Sequence, residues 1–180
     1  LDDAELARIE RIQIVACGTS YHAGLVGRYL IEDWARVPVQ IEVASEYRYR
    51  TCLAGPGDLV IGITQSGETA DTLAAMRVAR ERGAHVVAVT NIIGSQATRD
   101  SDGVLLTRAG LEIGVAATKT HTAQIMAFAL FALKLGRLKW ALTSAGALDI
   151  AQDLLALPEE IERFLGSAAP AQVYEVAGRY

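Results

Sequence analysis

The sequence predicts an α/β fold: a three-layer α/β/α sandwich on a five-stranded parallel sheet, followed by a C-terminal helical extension. Three observations predict it. Short β-branched runs recur as far as Thr107, and they are continuous rather than alternating, as in strands buried on both faces. Helical patterns separate these runs, and such alternation closes into a parallel sheet with helices on either face. Beyond Thr107 only helical patterns follow.

Taken in order, residues 1–10 form an acidic amphipathic segment. Strands are expected at residues 11–17, 39–44, 59–64, 85–90 and 104–107. Helices are expected at 21–35 and 69–82, with a short helical segment at 95–100. A Gly-containing loop at 109–116 leads to a long apolar helix at 117–138. Residues 145–157 and 159–165 read as amphipathic helix, with Pro158 opening or kinking the second part because it lacks an N–H and crowds the preceding turn. Residues 166–170 read as a connector and 171–180 have helical character, so the chain is expected to be cut there.

With 180 residues, about half of them hydrophobic, the chain can fill the core of one ordinary domain. The formal charge of −4, from 17 Lys plus Arg against 21 Asp plus Glu, comes without any block of like charge, which argues against a nucleic-acid partner. Any anionic ligand must then be held locally. Cys17 and Cys52 have neither metal-type spacing nor a disulfide framework, which fits a reducing, cytoplasmic setting. Residues 1–10 are unlike a secretory signal, and the longest apolar run, 125–133, is far short of a membrane span, so a soluble protein is expected. The three histidines show no i, i+4 pairing suited to a metal, and no cofactor is expected.

The chemistry gathers at two strand-to-helix turns. Thr64-Gln65-Ser66-Gly67-Glu68-Thr69 follows the third strand, and Cys17-Gly18-Thr19-Ser20 follows the first. A helix amino terminus offers unpaired N–H groups and partial positive charge, and Ser and Thr hydroxyls add donors suited to phosphate oxygens. If the first and third strands are neighbours, both turns face one crevice, where ligands collect in open parallel sheets. Taken alone, either turn is explained as well by a tight bend with an ordinary helix cap as by a binding site. The density of hydroxyls in both turns together favours binding.

Gly18, Gly24 and Gly27 do not form G-x-G-x-x-G, and no P-loop pattern occurs, so dinucleotide and nucleotide sites are set aside. A third segment, Glu112-Ile113-Gly114-Val115-Ala116-Ala117-Thr118-Lys119, could close over the crevice or simply enter a helix with Thr118 as its cap. Lys119 is too early in a helix to be favoured by the dipole and calls for a specific partner. Glu68 and Asp71 read as ordinary first-turn carboxylates, and residues 46–50 as surface or dimer packing. His22 reads as structural or surface, and Cys17 as a small packed side chain.

These four segments, with Ala44-Ser45-Glu46-Tyr47-Arg48-Tyr49-Arg50 as the second in chain order, resemble glutamine:fructose-6-phosphate aminotransferases (isomerizing), over about residues 9–165. The resemblance is to the first of that family's two sugar isomerase (SIS) domains and implies their flavodoxin- or Rossmann-like fold. It implies residues 1–10 as a linker-derived helix, 11–140 as the SIS domain, and 141–180 as an extension towards a second SIS domain. By the same resemblance Thr64, Ser66, Thr69 and the Gln65 backbone bind phosphate, while Cys17, Gly18, Thr19, Ser20 and Val115 line the sugar.

The implied ligands are fructose 6-phosphate and glucosamine 6-phosphate, and the implied partners are a second SIS domain, a glutaminase domain and a second copy in a homodimer. The family's ring-opening histidine, proton-shuttling glutamate and Schiff-base lysine belong to the second SIS domain and its tail, so this chain is expected to bind without turnover. Thr64 stands where many members carry serine, which keeps the hydroxyl and adds a methyl. A phosphosugar-sensing regulatory domain and a simple phosphosugar isomerase are the alternatives.

Overall fold

The computed structural model describes residues 1–114 and 116–179. It divides into two units, Leu1–Leu142 and Thr143–Tyr180. The first runs α1 (Asp3–Arg8), β1 (Arg11–Ala16), α2 (Gly18–Ala35), β2 (Val39–Val43), α3 (Ala44–Tyr47), β3 (Asp58–Ile63) and α4 (Ala70–Glu81). It continues through β4 (His85–Thr90), α5 (Gln96–Arg99), β5 (Gly103–Leu106) and α6 (Lys119–Leu138). All five strands are parallel, in the order β2-β1-β3-β4-β5. This is the α/β fold the strand–helix alternation predicts, with strand limits within a residue or two of those expected.

Side chains alternate across the sheet with period two. Ile12, Ile14 and Ala16 of β1, with Leu59, Ile61 and Ile63 of β3, join Ile31 of α2 and Phe128 and Leu135 of α6 in one core. Val15, Val60, Val86 and Ala88 face the other core, with Met76 and Ala79 of α4. Both faces are covered, which is why the central strands read as unbroken apolar runs.

Polar groups at the strand starts set the register of β1 against β3. Arg11 and Asp58 are paired across the two strands, and the guanidinium forks onto the carboxylate at 2.7 and 3.1 Å. The Asp58 carboxylate raises the Arg11 pKa above its ordinary value, against partial desolvation. Asp58 also accepts from the Gly55 N–H at 2.9 Å, tying down the entry to β3. Gln13, buried in β1, accepts a hydrogen bond from the Tyr47 hydroxyl at 2.8 Å. Burial, with the Cys52 thiol alongside, pushes the Tyr47 hydroxyl pKa strongly upward.

The segment read as surface or dimer packing is thus partly internal. Tyr47 is buried, Arg48 pairs with Asp71 at 2.7 Å, and Arg50 pairs with Glu42, while Tyr49 is exposed. Gly24 and Gly27 let α2 lie close to its neighbours. A Cβ at Gly24 would stand 2.7 Å from Ile41, and one at Gly27 would stand 2.5 Å from the Phe128 ring.

The second unit holds α7 (Ser144–Leu165) and α8 (Ala169–Ala177). Thr143 caps α7 by accepting from the Gly146 N–H at 3.1 Å. Pro158 does not open a second helix: α7 runs through it, forgoing the one bond its missing N–H would make. The expected connector is shorter too, because α8 starts at Ala169 and takes Pro170 into its first turn, where an N–H has no helical partner. Among the described residues no helix is long and apolar enough to cross a membrane, and no cluster of three or more His, Cys, Asp or Glu could hold a metal.

Gly27→Ala is expected to destabilise the first unit by about 1–3 kcal/mol, because the fully buried Phe128 ring has no room to yield. Urea unfolding with an unchanged midpoint would contradict this account of the α2–α6 contact.

Candidate functional site

β1 and β3 lie side by side, yet the helices that follow them pack against different cores, α2 with Ile31 in one and α4 with Met76 in the other. The winding therefore reverses between these strands, the position where open parallel sheets form a crevice at their carboxyl ends. A cleft of about 240 Å³ lies there, lined by Cys17, Gly18, Thr19 and Ser20 from one turn and by Thr64, Gln65, Ser66 and Thr69 from the other. The two hydroxyl-rich turns found in the sequence meet in a single cleft. Its volume falls below the roughly 300–1,000 Å³ typical of drug-sized ligands and suits a small polar guest. Val115 lies outside the described residues.

In the first turn, Gly18 adopts φ +57 at the start of α2 and bends the chain out of β1. Ser20 is buried, whereas Cys17 is half-buried, packing against the second core as expected while it borders the cleft. The second turn is held by its own side chains. Thr64 Oγ1 accepts from the Gly67 N–H at 3.1 Å and lies 2.8 Å from Thr69 Oγ1. Ser66 Oγ accepts from the Glu68 N–H at 3.1 Å. A hydroxyl that accepts from the backbone keeps its own hydrogen for another acceptor.

Gly67 has φ +71, and a Cβ there would stand 2.0 Å from the buried Ser95 Oγ. The Gly67 carbonyl accepts from the Ala97 N–H at 2.9 Å, and the Glu68 carboxylate accepts from the Gln96 N–H at 2.7 Å. Glu68 therefore lies outside α4, which begins at Ala70 with Thr69 as its N-cap, and it caps α5 instead of serving its own helix. Asp71, in the first turn of α4 as expected, is engaged by Arg48. The buttress from Ser95 to Ala97 was not visible in the sequence, because contacts across 28 residues leave no local pattern.

The third wall is the segment before α6. Thr118 is the N-cap residue, yet its side chain caps nothing. The Glu112 carboxylate takes that place, accepting from the N–H groups of Thr118 and Lys119, both at 3.1 Å, and from the hydroxyls of Thr118 and Thr120. The Thr120 and Thr118 hydroxyls, backed by the N–H groups of the same residues, hold the Glu112 carboxyl down at about 2. The partner of Lys119 is a backbone carbonyl, that of Leu111 at 2.6 Å. His22 is exposed and stacks edge-on against Tyr21, away from the cleft lining.

Three helices, α2, α4 and α6, thus begin at this cleft, and Thr72 and Thr120 join its lining, neither of them among the site residues expected from the sequence. Among the described lining residues none is Lys or Arg. Positive potential comes from the helix termini and free N–H groups, and donors from Ser and Thr. Such a lining can orient an anion of modest charge.

Because the Glu112 carboxyl is depressed, its contribution to holding the third wall is complete above the ordinary carboxylate range and drains away as pH falls from about 4.5 to about 2. The Thr118 and Lys119 amide resonances are expected to titrate with an inflection near 2. An inflection near 4.5 would mean that the carboxylate does not cap α6.

The SIS domain family model matches residues 5–134. Over 94% of its length the chain is 46% identical to a glutamine–fructose-6-phosphate aminotransferase (isomerizing) of Caldanaerobacter subterraneus subsp. tengcongensis, covering 28% of that protein. It is 48% identical over 94% of its length to the enzyme of that name from Symbiobacterium thermophilum, again covering 28%. The chain therefore spans less than a third of the curated relatives it matches.

Among solved structures, the C-terminal domain of glucosamine-fructose-6-phosphate aminotransferase from Francisella tularensis superposes with a TM-score of 0.81 and 41% identity, over 84% of this chain and 43% of that one. The chain is homologous to the isomerase region of these aminotransferases. With the family match spanning the whole sheet and both polar turns, the chain belongs to the SIS domain family.

Proposed function

We propose that this chain is the first sugar-phosphate-binding domain in the isomerase part of a glutamine:fructose-6-phosphate aminotransferase (isomerizing), and that alone it binds fructose 6-phosphate or glucosamine 6-phosphate without converting one into the other. The observation that carries the reading is the convergence of the 17–20 and 64–69 turns on one cleft at the β1–β3 switch point. Phosphate oxygens accept hydrogen bonds only, and the turns hold donors ready for them.

Ser66 Oγ is exposed and keeps its hydrogen. Thr64, only 2% exposed, accepts from the Gly67 N–H and shares one hydrogen bond with the Thr69 hydroxyl, so the pair keeps one hydroxyl hydrogen for the ligand. The Gln65 backbone completes this phosphate half. Cys17, Gly18, Thr19 and Ser20 line the sugar half.

The titratable groups lining the cleft are Cys17 and Glu112, and Glu112 is engaged by the first turn of α6. Among the described residues, that supports a lining that orients a ligand rather than one that transfers its protons. Binding energy from the unreactive phosphate then positions the sugar for catalytic groups supplied by a second SIS domain. In this reading residues 1–10 derive from a linker after a glutaminase domain, 11–140 form the SIS domain, and 141–180 lead to the second one. The exposed Leu155 and Phe164 on α7 suit cover by such a partner, and the reading includes a homodimer of the assembled enzyme.

Ser66→Ala removes a donor to a charged phosphate and is expected to cost about 1.5–3 kcal/mol, a loss of about ten-fold or more in affinity for glucosamine 6-phosphate by isothermal titration calorimetry. Unchanged affinity would sink the phosphate assignment. Turnover of fructose 6-phosphate by the chain alone would refute the separation of binding from catalysis.

A further inference from the structure

Two residues of α6, a turn apart, reach the first turn of α2. His121 Nδ1 lies 3.1 Å from the Thr19 carbonyl oxygen. A carbonyl can only accept, so Nδ1 carries the hydrogen and donates. Gln124, 1% exposed, donates from Nε2 to Ser20 Oγ at 3.1 Å, while its Oε1 has no partner. An amide buried beside the apolar Phe128 layer with one end unsatisfied is costly to keep.

The other buried side-chain oxygens without partners, among the described residues, belong to Thr72, which lines the same cleft, and to Ser95, which packs under Gly67. Unsatisfied polar groups therefore gather around the cleft rather than scattering through the core.

We propose that Gln124 is a positioning residue: by donating to Ser20 Oγ it fixes the Ser20 hydroxyl as a donor into the cleft. This rests on the sugar-phosphate reading above. With one of its lone pairs engaged by the amide, the Ser20 hydroxyl keeps its hydrogen for an acceptor on the ligand. The reversed amide would consume that hydrogen and present the ligand with an acceptor. Ser20 is 9% exposed, so few other groups compete to set its rotor. The unsatisfied Oε1 also separates function from stability, because an apolar side chain of similar length loses one hydrogen bond and removes one orphaned acceptor.

The test is a double-mutant cycle on the intact chain, reading both glucosamine 6-phosphate affinity by calorimetry and the unfolding midpoint. Gln124→Met is expected to weaken binding about five- to ten-fold with no fall in midpoint, and to have no further effect in a Ser20→Ala background. Unchanged affinity, or an equal loss in both backgrounds, would overturn the proposal. A loss of affinity that merely tracks a lowered midpoint would do the same.

A second readout needs no substitution at Gln124. The Gln124 side-chain amide resonances shift on titration with ligand in the wild-type chain and stay still in Ser20→Ala; equal shifts in both count against the inference. A wild-type chain that binds no glucosamine 6-phosphate overturns the proposed function and this inference with it.

Discussion

Parallel pairing of β1 with β3 is the constraint on which the rest of the structure depends. The two strands are neighbours in space but not in sequence, and their following helices pack against opposite faces of the sheet. Two backbone turns are thereby left side by side with no helix between them, and the space they enclose is the cleft. The Arg11–Asp58 fork at the opposite end of the same pair sets their register. A slip of one residue would turn every apolar side chain of β1 to the wrong core and carry Cys17 to Ser20 away from Thr64 to Thr69.

In this acidic chain the cleft offers helix dipoles and hydroxyls instead of cations. Arg48 and Arg11 are committed to Asp71 and Asp58, and Lys119 to a carbonyl. At the cleft itself the positive ends of three helices and a set of hydroxyls remain. One of those ends, that of α6, already carries a carboxylate in Glu112, which fastens the third wall while lowering the positive potential available there. The two termini with no carboxylate capping them, those of α2 and α4, belong to the turns proposed to bind.

Around the lining stands a layer of residues whose contacts lie within the protein. Gly67 presses on Ser95, Glu68 caps α5, and Gln124 and His121 brace the start of α2. Gly24 and Gly27, which matched no nucleotide fingerprint, have a packing role in bringing α2 against the sheet and α6. That closeness allows a side chain on α6 to reach Ser20.

The sequence by itself determined the parallel α/β fold, the order of its strands and helices, and the two polar turns. Those features are written in local patterns: continuous β-branched runs such as Leu59 to Ile63, helical periodicity, and hydroxyls clustered where a strand ends. It also carried the four segments whose resemblance pointed to the SIS family that the comparisons bear out. Only the tertiary structure decided that β3 lies beside β1, that Glu68 caps α5 rather than its own helix, that Glu112 and not the Thr118 side chain caps α6, and that Gln124 holds Ser20. Each joins residues that local periodicity cannot relate, because hydrogen-bond partners are chosen by proximity in space, and that proximity exists only once both cores have closed.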